Sequence, residues 1–240
     1  MNIILSGYGK MGHAVETAAL TKGHQIIGRL DNEASWADLA TPLPQGTVVI
    51  DFSTPDSAVS NIRRAFDLRL PIIVGTTGWY GQLPVVKKWC LDEGQSLLYG
   101  TNFSIGMNIF FELNRSLAGY LDRFEAYDIS LEEIHHIHKL DSPSGTAIRL
   151  AEDILKNSRR KKSWKNSPAS SPAELGIISR REGEEPGTHI VRCESDDDRI
   201  ELTHQAKGRT GFASGAILAG EWLLHKKGFF EMKDLLNFKD

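Results

Sequence analysis

Ile3-Ile4-Leu5-Ser6-Gly7-Tyr8-Gly9-Lys10-Met11-Gly12 decides the fold. An apolar run of strand length leads into G-x-G-x-x-G. His13 to Lys22 follows as a helix with an apolar face of Val15, Ala18 and Ala19, and Gly23 stands at its C-cap. In that context the first glycine permits a tight turn, the second lets backbone approach a pyrophosphate, and the third lets helix pack closely on strand. The phosphates belong at the helix N-terminus, where N–H groups and the dipole favour an anion. Asp31 ends the next apolar run, Gln25 to Leu30, and is placed to accept hydrogen bonds from the adenosine ribose, which favours NADH. Lys10, inside the loop, offers a positive charge to the extra phosphate of NADPH, and Asn32 offers none. Gly7, Tyr8, Gly9, Lys10, Met11, Gly12 and Asp31 are therefore cofactor candidates, for NADH or NADPH.

Outward from the loop, Val48 to Phe52, Pro71 to Val74 and Leu97 to Tyr99 read as further strands. Helices at Asp56 to Leu68 and Leu83 to Asp92 lie between them. Continuous apolar runs suit strands buried on both faces, and their alternation with helices implies a doubly wound parallel sheet. Ser53-Thr54, Gly75-Thr76-Thr77 and Thr101-Asn102-Phe103 each follow a strand, on the sheet edge where open α/β folds bind ligands. After Asn102 the texture changes. A helix over Met107 to Leu121 leads into the alternating stretch Arg123 to His138, and a second helix spans Gly145 to Asn157. Strands follow at Ile177 to Arg181, Gly187 to Glu194 and Arg199 to Gln205, the last two joined by a Ser195 to Asp198 hairpin turn. The closing segments, Gly215 to Leu224 and Glu231 to Phe238, read as helical. The expected fold is α/β, a Rossmann-type doubly wound sheet (residues 1–103 and 213–240) with an inserted α+β domain (104–212).

Composition narrows the function classes. The 240 residues are 40% hydrophobic and 25% charged, which excludes wholesale disorder. Lys plus Arg is 28 against 31 Asp plus Glu, a net charge of −3 that speaks against nucleic-acid or membrane-surface partners. The basic run Lys156 to Lys165 reads as a helix end fraying into an exposed loop. Cys90 and Cys193 are too few for a thiolate zinc site and read as small core residues. No apolar stretch has the length of a membrane span, and the first residues lack a signal peptide's regions, so a cytoplasmic protein is expected.

The densest chemistry is Glu133-Ile134-His135-His136-Ile137-His138-Lys139-Leu140-Asp141-Ser142-Pro143-Ser144-Gly145-Thr146-Ala147. Ser144-Gly145-Thr146 opens a helix and offers donors to a carboxylate, with Lys139 adding positive charge. His135 and His136 point to opposite strand faces, so they serve different tasks. A metal held by His135, His136 and His138 with Glu132 or Glu133 is disfavoured, because strand geometry separates His135 from the other two. No metal is expected. A polar strand end with Ser144 as a plain N-cap is the remaining alternative.

This run matches E-x-H-H-x-x-K-x-D-[AS]-P-S-G-T-A in full, and the sequence thereby resembles the dihydrodipicolinate reductase (4-hydroxy-tetrahydrodipicolinate reductase) family of diaminopimelate and lysine biosynthesis. The likeness extends through Asp51-Phe52-Ser53, Gly75-Thr76-Thr77, Asn102-Phe103-Ser104, Leu202-Thr203-His204 and Gly228-Phe229-Phe230-Glu231-Met232. It implies reduction of a cyclic α,β-unsaturated imine dicarboxylate by NAD(P)H to tetrahydrodipicolinate, in a homotetramer joined through sheets of the substrate domain. By the same likeness His135 is the catalytic acid and Lys139 a second catalytic or carboxylate-binding residue. His136, Ser144, Gly145 and Thr146 meet the substrate. Gly75, Thr76, Thr77, Gly100, Thr101, Asn102 and Phe103 join the cofactor set. Lys10 departs from the family's usual arginine. The alternatives are another nicotinamide dehydrogenase, such as aspartate dehydrogenase, or a non-catalytic NAD(P)H-sensing module, for which the His-Lys-Ser-Gly-Thr run has no use.

Overall fold

A computed structural model describes residues 1–31 and 36–238, so the reading of Asn32 lies outside the described residues. The chain forms two compact units, residues 1–105 with 209–240 and residues 106–208.

The first unit is a six-stranded parallel sheet. Its strands are β1 (Asn2–Ser6), β2 (Gln25–Leu30), β3 (Thr47–Asp51), β4 (Ile72–Val74), β5 (Ser96–Tyr99) and β11 (Gly228–Glu231), in the order β11-β5-β4-β3-β1-β2. Side chains alternate across it as strand geometry demands. Ile3, Leu5, Val48, Ile50, Ile73 and Leu98 meet α1 (Lys10–Thr21) and α6 (Thr210–Leu223) on one face. Ile4, Val49, Ile72, Val74 and Leu97 meet α2 (Pro55–Asp67) and α3 (Leu83–Asp92) on the other. The doubly wound arrangement expected from the apolar runs is present. Helix α6 lies close because its inner face is Ala213, Gly215, Ala216, Ala219 and Gly220. A Cβ on Gly215 would stand 1.8 Å from the Phe103 carbonyl oxygen.

One element departs from the sequence reading. The closing segment holds a strand, β11, before the short helix α7 (Met232–Leu236), and β11 pairs in parallel with β5. The units also divide at 105/106 and 208/209, because Phe103 and Ile105 pack in the first unit's core and α6 starts at Thr210.

The second unit is a mixed sheet of β6 (Asp128–His135), β7 (Ser163–Lys165), β8 (Glu174–Arg181), β9 (Thr188–Glu194) and β10 (Arg199–Gln205), in the order β10-β9-β6-β8-β7. β9 and β10 form the expected antiparallel hairpin, and β6 runs parallel to β8. Helices α4 (Ile105–Leu121) and α5 (Gly145–Asn157) bring Phe110, Phe111, Leu150 and Ile154 onto Ile129, Leu131, Ile177 and Val191. The opposite face carries an ionic ladder in which Glu132 is sandwiched by Arg180 at 2.7 Å and by Arg192.

The basic run after α5 does not fray. Lys161 is 1% exposed, its Nζ donating to the Glu174 carbonyl at 2.7 Å and pairing with Asp128 at 2.6 Å. Arg159 pairs with Asp122, and β7 takes Ser163–Lys165. Both cysteines are buried as expected, and burial pushes each thiol up to about 11. Among the described residues no helix is long and apolar enough to cross a membrane.

One substitution tests the close approach of α6, and a second, in α4, is its control. Gly215→Ala is expected to lower unfolding free energy by about 3 kcal/mol or more, since the added carbon meets backbone that cannot swing away. Gly119→Ala, where a Cβ meets nothing within 4 Å, is expected to raise it by about 0.5–1 kcal/mol. Urea midpoints of both variants check the pair.

Candidate active site

In the first unit, Gly7 takes φ +83° to turn the chain off β1, and its N–H donates to the Leu30 carbonyl at 2.8 Å. A Cβ on Gly7 would lie 2.3 Å from the Phe52 carbonyl oxygen, and one on Gly12 would lie 2.5 Å from the Gly7 carbonyl oxygen. Those two glycines are dictated by the chain's own backbone. For Gly12 the obstacle is the loop itself rather than the strand that the motif suggested. A Cβ on Gly9, by contrast, would meet nothing within 4 Å. Gly9 is the N-cap of α1 and supplies no side-chain cap, leaving first-turn N–H groups directed outward.

Gly9, Lys10 and Met11 line a cleft of about 310 Å³ together with Phe52, Ser53, Pro55, Gly75, Thr76 and Thr77. Two of the expected strand-end loops thus share one cleft with the glycine loop. Asp31 accepts a hydrogen bond from the Tyr8 N–H at 3.0 Å, which fixes its carboxylate beside the loop. Phe103 is 1% exposed and meets Phe52 edge to face at 5.9 Å, so its ring belongs to the core and only its backbone can face a ligand. The Asn102 side chain caps the start of α4's approach by accepting from the Ser104 N–H at 2.8 Å, Gly100 packs near Met232, and Thr101 is exposed.

Beneath this cleft lies Asp51, fully buried. It accepts from Ser6 at 2.7 Å and Asn61 at 2.9 Å on one oxygen, and from Thr76 at 2.6 Å and Ser53 at 3.1 Å on the other. Thr76 Oγ1 in turn accepts from the Ser53 N–H at 2.7 Å, so its hydroxyl is committed inward. Burial pushes the Asp51 carboxyl up against the opposing pull of these donors. Asp51 appeared in the sequence only as part of a likeness. Three of its four partners, Asn61, Thr76 and Ser6, lie 10, 25 and 45 residues away.

In the second unit, β6 ends at His135 and α5 begins at Gly145. Glu133 joins the two: its buried carboxylate accepts the Ser144 N–H at 3.0 and 3.1 Å and the Ser179 hydroxyl at 2.8 Å. His135 Nδ1 lies 3.3 Å from the same carboxylate, and His189 Nε2 lies 3.8 Å away. Burial opposes ionisation of Glu133, yet the His135 imidazole and the Ser144 and Ser179 donors outweigh it, holding the carboxyl well below the usual range. His189 is driven the other way: burial lowers its pKa to about 3, so it is a neutral imidazole. Its Nε2 also lies 3.3 Å from the Ser144 hydroxyl, which accepts from the Ala147 N–H as the helix N-cap.

Arg181 fastens the connecting loop to this end of the sheet. It donates to the carbonyls of Lys139 at 3.2 Å and Asp141 at 2.6 Å, with Glu133 at 3.6 Å. Lys139 Nζ holds Asp141 at 2.8 and 2.9 Å. Burial works against the Asp141 charge, and the Lys139 ammonium prevails, keeping that carboxyl below its ordinary range. His136 packs toward His138 at 6.0 Å, on another course from His135. Gly145 and Thr146 stand at the open first turn of α5, where a Cβ on Gly145 meets nothing. Glu133, His135 and His189 are the group of potential metal ligands that converges within 4.8 Å among the described residues. The Glu133 oxygens already accept from the Ser144 amide and the Ser179 hydroxyl, and the carboxylate neighbours the Arg181 guanidinium, surroundings that disfavour a metal cation.

From the sequence Glu133 is a motif position and a metal alternative without a further role, and His189 is a strand residue with none. The strand alternation that sends both inward beside His135 was the available signal.

Comparison with known proteins divides the chain at nearly the same place. The family model described as dihydrodipicolinate reductase, N-terminus, matches residues 1–103, and the one described as dihydrodipicolinate reductase, C-terminus, matches residues 106–236. A 4-hydroxy-tetrahydrodipicolinate reductase of Christiangramia forsetii is 45% identical over 237 residues, spanning 99% of this chain and 98% of that protein. One from Neisseria meningitidis is 30% identical over 239 residues, with 97% and 88% covered. The fold is similar to a dipicolinate-bound dihydrodipicolinate reductase from Paenisporosarcina sp. TG-14, at TM-score 0.77 and 19% identity over 96% of this chain and 97% of that one. Matched in both parts by the family models and nearly end to end by its relatives, the chain belongs to the dihydrodipicolinate reductase family.

Proposed function

We propose that this chain reduces 4-hydroxy-tetrahydrodipicolinate, by way of the cyclic conjugated imine dihydrodipicolinate, to tetrahydrodipicolinate with NADH or NADPH. The observation that carries the reading is the anchoring of the whole Glu133 to Ala147 run at one end of β6. There Glu133 ties the strand to α5 and Arg181 ties down the Lys139 loop. A proton donor, a cation and a helix N-terminus are thereby fixed on one unit.

The first unit fits a dinucleotide. Gly9 leaves room that the chain itself does not use, and the first turn of α1 would receive the pyrophosphate. Tyr8, Lys10 and Met11 flank it, and Gly75, Thr77, Gly100 and Thr101 offer small or exposed positions toward the nicotinamide end. When bound, the reduced nicotinamide supplies the hydride. Asp31, fixed on the Tyr8 amide, accepts the ribose hydroxyls and sets a negative charge where a ribose phosphate would lie.

In the second unit Gly145 and Thr146 hold a substrate carboxylate at the start of α5, and Lys139 neutralises the dicarboxylate's charge. His136 lines the same loop. His135 gives its proton to the substrate atom left electron-rich once hydride has been accepted, and regains one from water. The Paenisporosarcina protein, similar in fold, is a dipicolinate complex, and a planar pyridine dicarboxylate has the shape and charge that this reading requires. The Glu132, Arg180 and Arg192 face of the second sheet would join copies of the chain in a cytoplasmic homotetramer. Light scattering at about four times 26.7 kDa is the expected mass.

His135→Ala is expected to lower kcat by ~10²–10⁴-fold with little change in KM, read from loss of reduced-nicotinamide absorbance with freshly generated dihydrodipicolinate. Lys139→Ala is expected to raise KM for the dicarboxylate about tenfold or more, the loss of a charge-assisted contact, and to lower kcat. A change in melting temperature alone would refute that role. Asp31→Ala is expected to raise KM for NADH about tenfold while leaving NADPH unchanged or improved, in side-by-side titrations.

A further inference from the structure

The His135 ring has two distinct nitrogens, and the partner of one determines what the other can do. Nδ1 is the buried one. It has no well-aligned hydrogen-bond partner among the described residues, and it faces Glu133 Oε2 at 3.3 Å, so a slight turn of the ring closes the contact. At the far side of the ring a Cβ on Gly187 would sit 3.0 Å from Nε2. Gly187 also takes φ +147°, a left-handed conformation that side chains resist. Glycine there keeps the Nε2 side clear.

We propose that Glu133 is the positioning residue of the proton transfer: its carboxylate, held from behind by the Ser144 amide and the Ser179 hydroxyl, binds Nδ1–H of His135 and leaves Nε2 to carry the transferable proton. The inference rests on the reading of His135 as the acid. In the transfer the Nε2–H bond breaks and a bond from that hydrogen to the substrate forms. The imidazolium becomes a neutral imidazole that keeps Nδ1–H on Glu133, and water restores the Nε2 proton.

The neighbours favour this pairing. His189 packs edge-on to His135 with centroids 5.1 Å apart and is neutral, so it places no second cation on the carboxylate. Arg181, from β8, is 3.6 Å from Glu133, but its guanidinium donates to the Lys139 and Asp141 carbonyls. Lys139 and His204 act on the cluster through their fields, both being felt at His189. The Lys139 charge is balanced by Asp141. Glu185, on the Nε2 side, is engaged by the Gly187 amide and the Thr188 hydroxyl. Among the described residues Glu133 is the carboxylate within ion-pair distance of His135, and its loss removes that counter-ion.

Two measurements test the proposal. In the wild-type protein, nitrogen-15 histidine NMR followed across a pH titration is expected to show the uncharged form of His135 protonated at Nδ1, and the Nε2–H tautomer would overturn the proposal without any variant having to fold. In steady-state assays Glu133→Gln is expected to lower kcat tenfold or more while both KM values stay within about threefold. The alkaline limb of its kcat profile is expected to move down by about one pH unit or more, as removal of an opposite charge at this range dictates. In the His135→Ala background, Glu133→Gln is expected to cost nothing further, and an additive loss would overturn the inference. Full turnover in His135→Ala would instead remove the acid on which it rests. An inactive His135→Ala beside a Glu133→Gln enzyme with unchanged kcat and pH profile would sink the positioning role alone.

Discussion

A carboxylate withdrawn from water has to be solvated by the protein, and each unit of this molecule is organised around one such group. Asp51 closes β3 and draws Ser6, Ser53, Asn61 and Thr76 onto itself. Glu133 lies near the end of β6 and draws in Ser144, Ser179 and the two imidazoles. An ion at such a depth is tolerated only when its hydrogen-bonding capacity is met. The loops supplying the donors are therefore held as firmly as the charge requires. Ser53 and Thr76, which line the cleft, and Ser144, which caps α5, lie on those loops. The two carboxylates differ in electrical character. Asp51 sees only neutral donors and is raised by burial, whereas Glu133 is kept ionised beside a histidine that can take up charge. One is scaffolding for a cleft, and the other ties the end of β6 to the start of α5.

Much of the fold was legible because its signals are local. The runs Gln25 to Leu30 and Arg199 to Gln205, and the helices Leu83 to Asp92 and Gly145 to Asn157, have the limits that their patterning and flanking residues suggest. β11 was not legible. Gly228-Phe229-Phe230-Glu231 is too short to show a period, and it is a strand because β5 offers it an edge far away in the sequence. The Lys156 to Lys165 run was misread for a related reason. Charge density along the chain suggests exposure, but Lys161 is buried by Asp128 and the Glu174 carbonyl, neither of them a sequence neighbour.

The site divides along the same line. The glycine loop could be read from its own residues, because the left-handed φ of Gly7 and the nearness of the Gly7 carbonyl to Gly12 are local requirements. Phe52 and Pro55 as cleft walls, Asn61 as a partner of Asp51, and His189 as the neighbour of His135 all come from the pairing of distant strands and helices. Motif matching found the residues that face outward. The groups that hold them from behind emerged only with the sheet register.

Helix α6 has a bearing on biogenesis. β1 and the glycine loop come early in the chain, yet the sheet face that α1 partly covers is completed only when α6 returns to it, and the β5 edge only when β11 pairs there. The inserted unit contains its own helices and core and can be completed while still tethered to the ribosome. The nucleotide-binding half, begun first, is finished last.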